Sequence, residues 1–285
     1  MKLFRYQTPS QAPRVGLTLD DTTLIDLTSL GVDRLDTLLE DADPAGRVEK
    51  MSRGVASPGP LSDVKLLPPV DQQEVWAVGV TYLRSKAARM AESDFGATAY
   101  DRVYDAERPE LFFKSLPEKV VGPGEPVGAR RDSRWSTPEP ELALVINSRG
   151  RIAGYTVGND MSARDIEGDN LLYLPQAKIY DRSCAVGPFV TVGVTEAVAR
   201  TWKIEMCIRR HGGVAFGGQT EVARIKRPFE EMVRFLFRSQ TLPHGAVLLT
   251  GTGIVPPDDF SIQAGDLVEI NISGIGRLNN PVVLV

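Results

Sequence analysis

The sequence of 285 residues predicts a mainly β protein with some α structure, an α+β fold. Short apolar runs separated by turn residues are typical of strands, and the region 71–285 contains seven of them. They are Val75–Val78, Leu111–Phe113, Leu142–Ile146, Val190–Val194, Ile204–Ile208, Val247–Leu249 and Leu267–Ile272. Two segments of this region have a helical pattern, Leu83–Glu92 and the amphipathic stretch Phe229–Ser239. Strands are therefore expected to dominate.

Residues 1–70 predict a small α+β unit. Short strands are expected at Leu3–Tyr6, Val15–Leu19 and Thr23–Leu27, and leucines at positions 35, 38 and 39 have helical spacing. A group of turn-forming residues then marks a boundary: Pro58, Gly59, Pro60, Pro68 and Pro69. We expect a small N-terminal domain at 1–70 and a larger, functional domain at 71–285.

Composition disfavours several classes of protein. The net charge is −4, and acidic and basic residues are interspersed without a long basic stripe, which disfavours nucleic-acid binding. The N-terminus alternates polar and apolar residues, and no apolar run approaches ~18 residues, so neither a signal peptide nor a membrane span is expected. A cytoplasmic location follows from this interpretation.

Cysteine and histidine are scarce. Cys184 and Cys207 form no CxxC pair, which argues against a disulfide framework or a thiolate zinc site and favours buried small hydrophobic residues. The two histidines, His211 and His244, lie next to glycines and are expected on the surface. Acid–base chemistry must therefore come mainly from carboxylates and lysine.

A cluster of carboxylates is expected around residue 140. Glu139 and Glu141 stand at positions i and i+2 at the start of an apolar strand, so both side chains leave the same face. A returning strand ends at Asp160. If the connecting turn is the four residues 148–151, Asp160 lies opposite Glu139 on that face, whereas a three-residue turn would point it away.

Three carboxylates that converge without histidine or cysteine favour a hard cation. An oxygen-rich, open site suits Mg²⁺ or Mn²⁺ better than Zn²⁺. The alternative is a solvated acidic strand edge, because carboxylates are usually at the surface. Spacing alone does not separate the two interpretations.

The region 71–285 contains a set of motifs: EPELALVI from position 139, GYTVGNDMSARD from 154, QAK from 176, TGTG from 250, and GDLVEI and GIGRLNN near the C-terminus. Through these motifs the region closely resembles the fumarylacetoacetate hydrolase superfamily. The resemblance implies a mixed β-sandwich roll with a smaller N-terminal domain, and a homodimer. It also implies that Glu139, Glu141 and Asp160 hold the metal and that Lys178 is the lysine of the family's site.

The chain departs from the hydrolytic members of this superfamily in one segment. Those members carry Gly-x-Asn-Tyr-x-x-His-x-x-Glu, in which His and Glu activate the attacking water. The corresponding residues 79–88 read GVTYLRSKAA, with Ser85 in place of the histidine and Ala88 in place of the glutamate. Water activation by that pair is therefore unavailable.

Three further segments are YDAERPELFFK from position 104, RDSRW from 131 and YLPQAKIYD from 173. They resemble the branch of this superfamily that contains 2-dehydro-3-deoxy-D-arabinonate dehydratases, and this narrower resemblance implies that Glu110 is a catalytic acid or base. Apolar neighbours would partly desolvate the Glu110 carboxyl group, as proton transfer near neutral pH requires. These neighbours are Val103, Tyr104, Leu111, Phe112 and Phe113. The alternative is that Glu110 forms a structural pair with Arg108 or Lys114.

Other site residues also have two interpretations. Lys178 is either a catalytic amine or a salt-bridge partner of Asp181 or Asp165, and Arg164 either binds a substrate carboxylate or pairs with Asp165. Thr252 lies in a Gly-rich segment that is either an anion-binding loop or only a turn. The predicted substrate-binding residues are Tyr82, Arg84, Arg164, Gln176 and Thr252.

The expected activity is a Mg²⁺-dependent dehydration of a small 2-oxo acid, in which Lys178 or Glu110 removes the C3 proton and Glu110 protonates the departing C4 hydroxyl. The product from 2-dehydro-3-deoxy-D-arabinonate would be 2,5-dioxopentanoate. Two alternatives remain at this point. One is an acylpyruvate hydrolase or oxaloacetate decarboxylase, and the other is a non-catalytic ligand-binding member.

Overall fold

The computed structural model describes residues 1–9, 11–57, 59–92 and 101–285, so that Pro58 of the predicted boundary lies outside the described residues. The strands are β1 Lys2–Gln7, β2 Arg14–Thr18, β3 Thr23–Asp26, β4 Gly59–Pro60, β5 Lys65–Leu67, β6 Glu74–Gly79, β7 Glu110–Ser115, β8 Val127–Ala129, β9 Ser136–Thr137, β10 Pro140–Ile146, β11 Ile152–Asp160, β12 Ser162–Ala163, β13 Cys184–Thr191, β14 Lys203–Arg210, β15 Gly213–Glu221, β16 Ala246–Leu249, β17 Leu267–Ile272 and β18 Gly276–Leu284. The α-helices are α1 Leu35–Leu39, α2 Pro44–Ser52, α3 Leu83–Glu92, α4 Arg164–Asp169, α5 Leu174–Lys178, α6 Glu196–Ala199 and α7 Phe229–Leu236. Residues 101–105 are also helical.

The strands form two main sheets. The larger sheet has the order β4-β3-β2-β1-β13-β11-β10-β16-β6-β7, with β5 paired to β1. The smaller has the order β15-β14-β17-β18-β8, and β12 pairs with β9. Neighbouring strands are antiparallel except at β16–β6 and β18–β8, which are parallel. The predicted mainly β, α+β fold is confirmed.

The main core lies between these sheets. The side chains of Leu142, Leu144 and Ile146 on β10 belong to the same buried cluster as Ile204 and Met206 on β14. Buried apolar residues alternate with more exposed ones along β14, as a sheet with one buried face requires, whereas β10 is buried on both faces and is apolar throughout Leu142–Ile146. This packing fixes the position of β10, which carries the acidic residues at its start.

The amphipathic segment after residue 228 is a helix, as predicted, but it is shorter. Helix α7 ends at Leu236, whereas the sequence pattern suggested Ser239. Its apolar face is buried through Phe229, Met232 and Val233. Phe237 is the C-cap residue, and its N–H still donates to the Val233 carbonyl (3.0 Å). The polar residues Arg238 and Ser239 then continue outside the helix because they extend no apolar face.

The N-terminal strands are joined to the larger sheet. Strand β1 pairs with β13 through Lys2↔Thr191 and Leu3↔Val190, and α1 and α2 cover a separate cluster of buried residues beneath β1 and β2. The predicted strands of this unit are found within a few residues of their expected bounds. Among the described residues, no helix has the length and apolar character needed to cross a membrane.

In the β10–β11 hairpin Asp160 lies opposite Glu139, as predicted, but the connecting turn is not the four-residue turn on which that prediction depended. The Asn147 N–H donates to the Arg151 carbonyl (3.0 Å), so only three residues form the turn. A register shift between Val145 and Ile146 then inserts one extra residue on β11. This bulge cancels the effect of the shorter turn, because each one-residue change exchanges the two faces of a strand.

Candidate metal centre and active site

Three carboxylates converge where β10 begins and β11 ends. Glu139 and Asp160 face each other across the ladder, with backbone hydrogen bonds of 3.2 and 3.0 Å in the two directions. Glu141 lies two residues further on the same face of the strand. All three side chains are buried, and one oxygen from each lies within 4.8 Å of the others. This arrangement differs from a solvated acidic edge, the alternative that the sequence left open.

Lys178, the last residue of α5, lies between two of these carboxylates. Its Nζ donates to Glu139 Oε2 (2.9 Å) and to Asp160 Oδ2 (3.2 Å), and to the hydroxyl of Ser162 (2.6 Å). Arg164 Nη1 donates to Glu139 Oε1 at 2.8 Å. These partners differ from the predicted ones, which were the aspartates close in sequence, Asp165 and Asp181. Both cations therefore belong to the carboxylate cluster.

A second lysine, Lys114, holds Asp160 from the other side. Its Nζ lies 2.5 Å from Asp160 Oδ1 and donates to the backbone carbonyls of Met161 (3.0 Å) and Lys178 (2.5 Å). The side chain is fully buried. Lys114 was expected only as a potential structural partner of Glu110, whereas in the structure it is part of the site. Alternation along β7 places Glu110, Phe112 and Lys114 on one face and is the signal that could have identified it.

Of the three clustered carboxylates, Glu141 is the one that forms no ion pair with a lysine or arginine among the described residues. It accepts a hydrogen bond of 2.5 Å from the Gly251 N–H. Burial, followed by repulsion from Asp160 and Glu139, raises the pKa of Glu141 well above its usual value. A cation between the three carboxylates would relieve this repulsion.

The charge balance and the donor atoms fit a divalent metal. Among the described residues, five carboxylates line the cavity, namely Glu110, Glu139, Glu141, Asp160 and Glu167. Three buried cations, Lys114, Lys178 and Arg164, contact members of this set. If every group is ionised, an excess of two negative charges remains. Oxygen-only donors with an uncompensated double charge suit Mg²⁺ or Mn²⁺.

Glu110, the predicted acid or base, lines the same cavity. It pairs with Gly79 across the β6–β7 ladder, and a Cβ on Gly79 would lie 1.9 Å from Glu110 Oε2. The carboxylate therefore occupies the space that the glycine leaves free. Of the apolar neighbours expected to desolvate Glu110, Phe112 lines the cavity, whereas Phe113 points to the opposite face and packs against Trp76.

The predicted substrate-binding residues have different positions. Thr252 is buried and lines the cavity, and Arg164 is buried against Glu139. Tyr82 is buried, and burial raises the pKa of its hydroxyl. Arg84 and Gln176 are exposed and do not line the cavity in the described part of the chain. Their predicted role has no support from their position.

Two cavity residues were not identified as site residues from the sequence. Ser85 on α3, at the position where hydrolytic relatives have histidine, is buried at the cavity wall. Glu167 on α4 is buried and lies 3.9 Å from Lys178 Nζ. Its spacing of one helical turn from Arg164 is the signal that could have suggested it.

Cysteine and histidine do not line this cavity. Both cysteines are free thiols, and burial raises the pKa of the Cys184 thiol to about 12, which makes it inert at neutral pH. Cys207 is half-buried, and His211 and His244 are exposed. The surface prediction for the histidines is confirmed, and that of buried cysteines is confirmed for Cys184.

Comparison with known proteins gives consistent similarities. A family model described as fumarylacetoacetate (FAA) hydrolase C-terminal matches residues 74–283. The chain is 48% identical over 217 residues to a "Probable 2-keto-3-deoxyxylonate dehydratase" of Haloferax volcanii, covering 76% of this chain and 74% of that protein. It is 41% identical over 227 residues to the 2-dehydro-3-deoxy-D-arabinonate dehydratase of Saccharolobus solfataricus, covering 78% of this chain and 76% of that protein.

A solved structure is also similar over its whole length. It is a 2-keto-3-deoxy-D-arabinonate dehydratase complexed with magnesium and 2,5-dioxopentanoate, with a TM-score of 0.83 and 36% sequence identity. The comparison covers 100% of this chain and 99% of that chain.

Proposed function

Because the chain belongs to the fumarylacetoacetate hydrolase family, we propose that it is a Mg²⁺-dependent dehydratase that converts 2-dehydro-3-deoxy-D-arabinonate to 2,5-dioxopentanoate in pentose catabolism. The resemblance inferred from the motifs and the predicted family fold are both confirmed. The observation that carries the proposal is one cavity in which Glu139, Glu141 and Asp160 lie beside a buried lysine and a separate carboxylate, Glu110.

The metal would be held by Glu139, Glu141 and Asp160. When bound, Mg²⁺ supplies Lewis acidity at the 2-oxo acid group of the substrate, which acidifies the neighbouring C–H bond. Mn²⁺ has the same preference for oxygen ligands and is the expected substitute. Arg164 and Lys178 orient Glu139 by donating to its two different oxygens, so that the carboxylate cannot rotate.

The remaining groups perform the proton transfers. Dehydration removes the C3 proton, and the C4 hydroxyl leaves with a proton as water. Migration of the double bond then gives the aldehyde at C5. Lys178 and Glu110 line the cavity, and we assign to them removal of the C3 proton and protonation of the leaving hydroxyl. Thr252 and Arg164 are proposed substrate contacts, whereas Tyr82, Arg84 and Gln176 are proposed from the sequence alone.

The residue at position 85 argues against the hydrolytic alternative. Ser85 offers a hydroxyl to the cavity where a general base would be needed to activate water. Histidine does not supply this base either, because neither His211 nor His244 is among the described residues that line the cavity. Acylpyruvate cleavage and oxaloacetate decarboxylation are therefore less favoured than dehydration.

A substrate panel tests the reaction. Turnover of 2-dehydro-3-deoxy-D-arabinonate should be abolished by EDTA and restored by Mg²⁺, and acetylpyruvate and oxaloacetate should react at least ~100-fold less efficiently, the scale of losing one positioned acid or base. Glu139→Gln, Glu141→Gln and Asp160→Asn should each weaken Mg²⁺ binding while the fold is retained. Efficient acylpyruvate cleavage, or dehydration that survives EDTA, would contradict the proposal.

Glu110→Gln tests the assignment of the proton-transfer residues. The variant should bind Mg²⁺ normally but lose roughly 10²- to 10⁴-fold in kcat. Glu107→Gln, an exposed position in the same segment, is the matched control and should retain activity. If Lys178 alone removes the C3 proton, Glu110→Gln still exchanges C3 hydrogens with deuterated water. An unchanged kcat would show that Glu110 is structural.

Three further expectations extend this proposal. The catalytic unit is assigned to residues 71–285 and a small α+β unit to residues 1–70. The family resemblance favours a homodimer or a higher homo-oligomer, and the cytoplasmic location stays a prediction. Analytical ultracentrifugation tests the oligomeric state, and a monomer in solution would contradict the predicted oligomer. Limited proteolysis tests the boundary between the two units.

A further inference from the structure

We propose that a cleft at the far end of the β10–β11 hairpin binds a small anion with two or more negative charges. This arginine cleft lies between the turn of that hairpin and helix α7. Its walls carry Arg149 from the turn, Arg151 directly after the turn, and Arg234 and Arg238 from α7 and the residues that follow it. The volume is about 710 Å³, within the range of small-molecule sites.

The charges of the cleft are unbalanced. Among the described residues that line the cleft, Glu230 is the one acidic residue beside four arginines. Arg149 is already engaged, because its guanidinium lies 3.7 Å from Glu40 Oε2. The guanidinium groups of the other three have no hydrogen bond or ion pair with any part of the chain that the structure describes, and that of Arg238 lies over the Phe235 ring, 4.2 Å from its centroid. In a protein with a net charge of −4, this is a local excess of positive charge.

The two walls are held together by apolar contacts. Val233 is buried at the floor, and the Phe237 ring packs against Gly150, where an added Cβ would lie 3.5 Å from the ring. Gly150 has a φ of +71°, which fixes the tight turn that brings Arg151 to the cleft. One cation near the end of a helix is explained by the helix dipole, but the dipole does not account for Arg151 on the opposite wall.

Guanidinium groups recognise carboxylate and phosphate oxygens through paired N–H donors. Three such groups around one cleft match an anion with at least two phosphate or carboxylate groups. The cleft is local and does not extend as a basic stripe, so a small molecule fits it better than a nucleic acid. It lies at the opposite end of β10 from Glu139, ~20 Å away at ~3.3 Å per strand residue, and is therefore independent of the proposed dehydration.

Calorimetric titration tests the proposal. Inorganic pyrophosphate and citrate are titrated separately into the full-length protein at constant ionic strength in EDTA, so that no metal chelation contributes. At least one of them should bind with a stoichiometry of one. Arg151→Gln and Arg234→Gln should each weaken that binding by about tenfold or more, as expected for loss of a charge-assisted hydrogen bond. Tighter binding of pyrophosphate would identify phosphate as the recognised group, and tighter binding of citrate would identify carboxylate.

Arg277→Gln is the matched control. It removes the same charge from an exposed arginine on β18, on the other sheet, and should leave the affinity unchanged. Equal weakening in all three variants would show attraction by general charge, and absence of saturable binding would show that the cleft is not a small-anion site. A change in sedimentation coefficient in the cleft variants would instead assign this face to contact between subunits. Each of these results overturns the proposal.

Discussion

The two ends of the β10–β11 hairpin carry opposite charges in opposite environments. At one end, Glu139, Glu141 and Asp160 are buried, and Lys178 contacts two of them directly. At the other end, Arg151 and Arg234 are exposed and have no partner among the described residues. The same hairpin therefore has a buried cluster of ion-paired side chains at one end. At the other end it borders an exposed cleft in which Arg151 and Arg234 form no ion pair with the described residues.

This difference follows from the cost of desolvation. A buried charge without a partner costs several kcal/mol, whereas an exposed charge remains solvated and needs no partner. Mutations at the buried end should therefore affect stability and catalysis together. Those at the exposed end should affect neither, unless a ligand is present.

The largest effect is expected at Lys114. Lys114→Met keeps the apolar stem and removes the charge that contacts Asp160, so the metal-free protein should lose ~3–5 kcal/mol of unfolding free energy, the cost of breaking a buried pair. Urea unfolding in EDTA measures this. The matched control is Lys119→Met, at an exposed lysine 4.0 Å from Asp181, which should change stability little. Similar losses in the two variants would contradict the comparison.

A smaller effect, confined to catalysis, is expected at Gly79. In Gly79→Ala the new methyl group would lie 1.9 Å from Glu110 Oε2, and the flexible side chain of Glu110 must move away. A displacement of ~1 Å at a catalytic group costs ~10²-fold in kcat, while Mg²⁺ affinity and stability should be nearly unchanged. Gly217→Ala, where the nearest atom would be 4.0 Å away, is the control. Normal kcat in Gly79→Ala would show that Glu110 needs no fixed position.

The sequence predicted the acidic residues of the site better than their partners. The spacing of Glu139 and Glu141 on one strand face is a local property, and so is the return of the chain to Asp160. Lys114 comes from β7, far along the chain, and its contact with Asp160 depends on the order of strands in the sheet. No local pattern encodes that order.

The difference between local patterns and long-range contacts also explains which elements of the fold were predicted correctly. Apolar runs predicted β10, β14 and β17 closely because their patterns are local. Helix α2 was not predicted, although Asp43 caps it by accepting from the Gly46 N–H and Pro44 occupies its first turn. The bulge on β11 could not be predicted because two compensating one-residue changes leave the final register unaltered.

Replacement of Glu141 should stabilise the metal-free protein. The pKa of Glu141 is raised in the folded state, so wild-type stability falls as the pH rises from the ordinary glutamate pKa through the raised value. Glu141→Gln removes this loss of stability. The unfolding free energy of the variant should therefore exceed that of wild type by an amount that grows with pH, to on the order of 1 kcal/mol. Thermal unfolding in EDTA over a series of pH values that starts at the ordinary glutamate pKa and rises into the alkaline range measures this difference. Saturating Mg²⁺ should reverse the ranking because only wild type binds the ion well.

The smallest effect is expected at the exposed end, in Arg151→Gln. Without a structural partner among the described residues, this arginine should contribute within ~0.5 kcal/mol to the unfolding free energy in a buffer free of multivalent anions. Mutual repulsion with Arg234 and Arg238 makes a slight gain as reasonable as a slight loss. Adding pyrophosphate should then raise the melting temperature of wild type more than that of the variant, because only the cleft with all its charges is stabilised by binding. A loss above ~1 kcal/mol without added anion would show that Arg151 is structural, and the contrast between the two ends of the hairpin would fail.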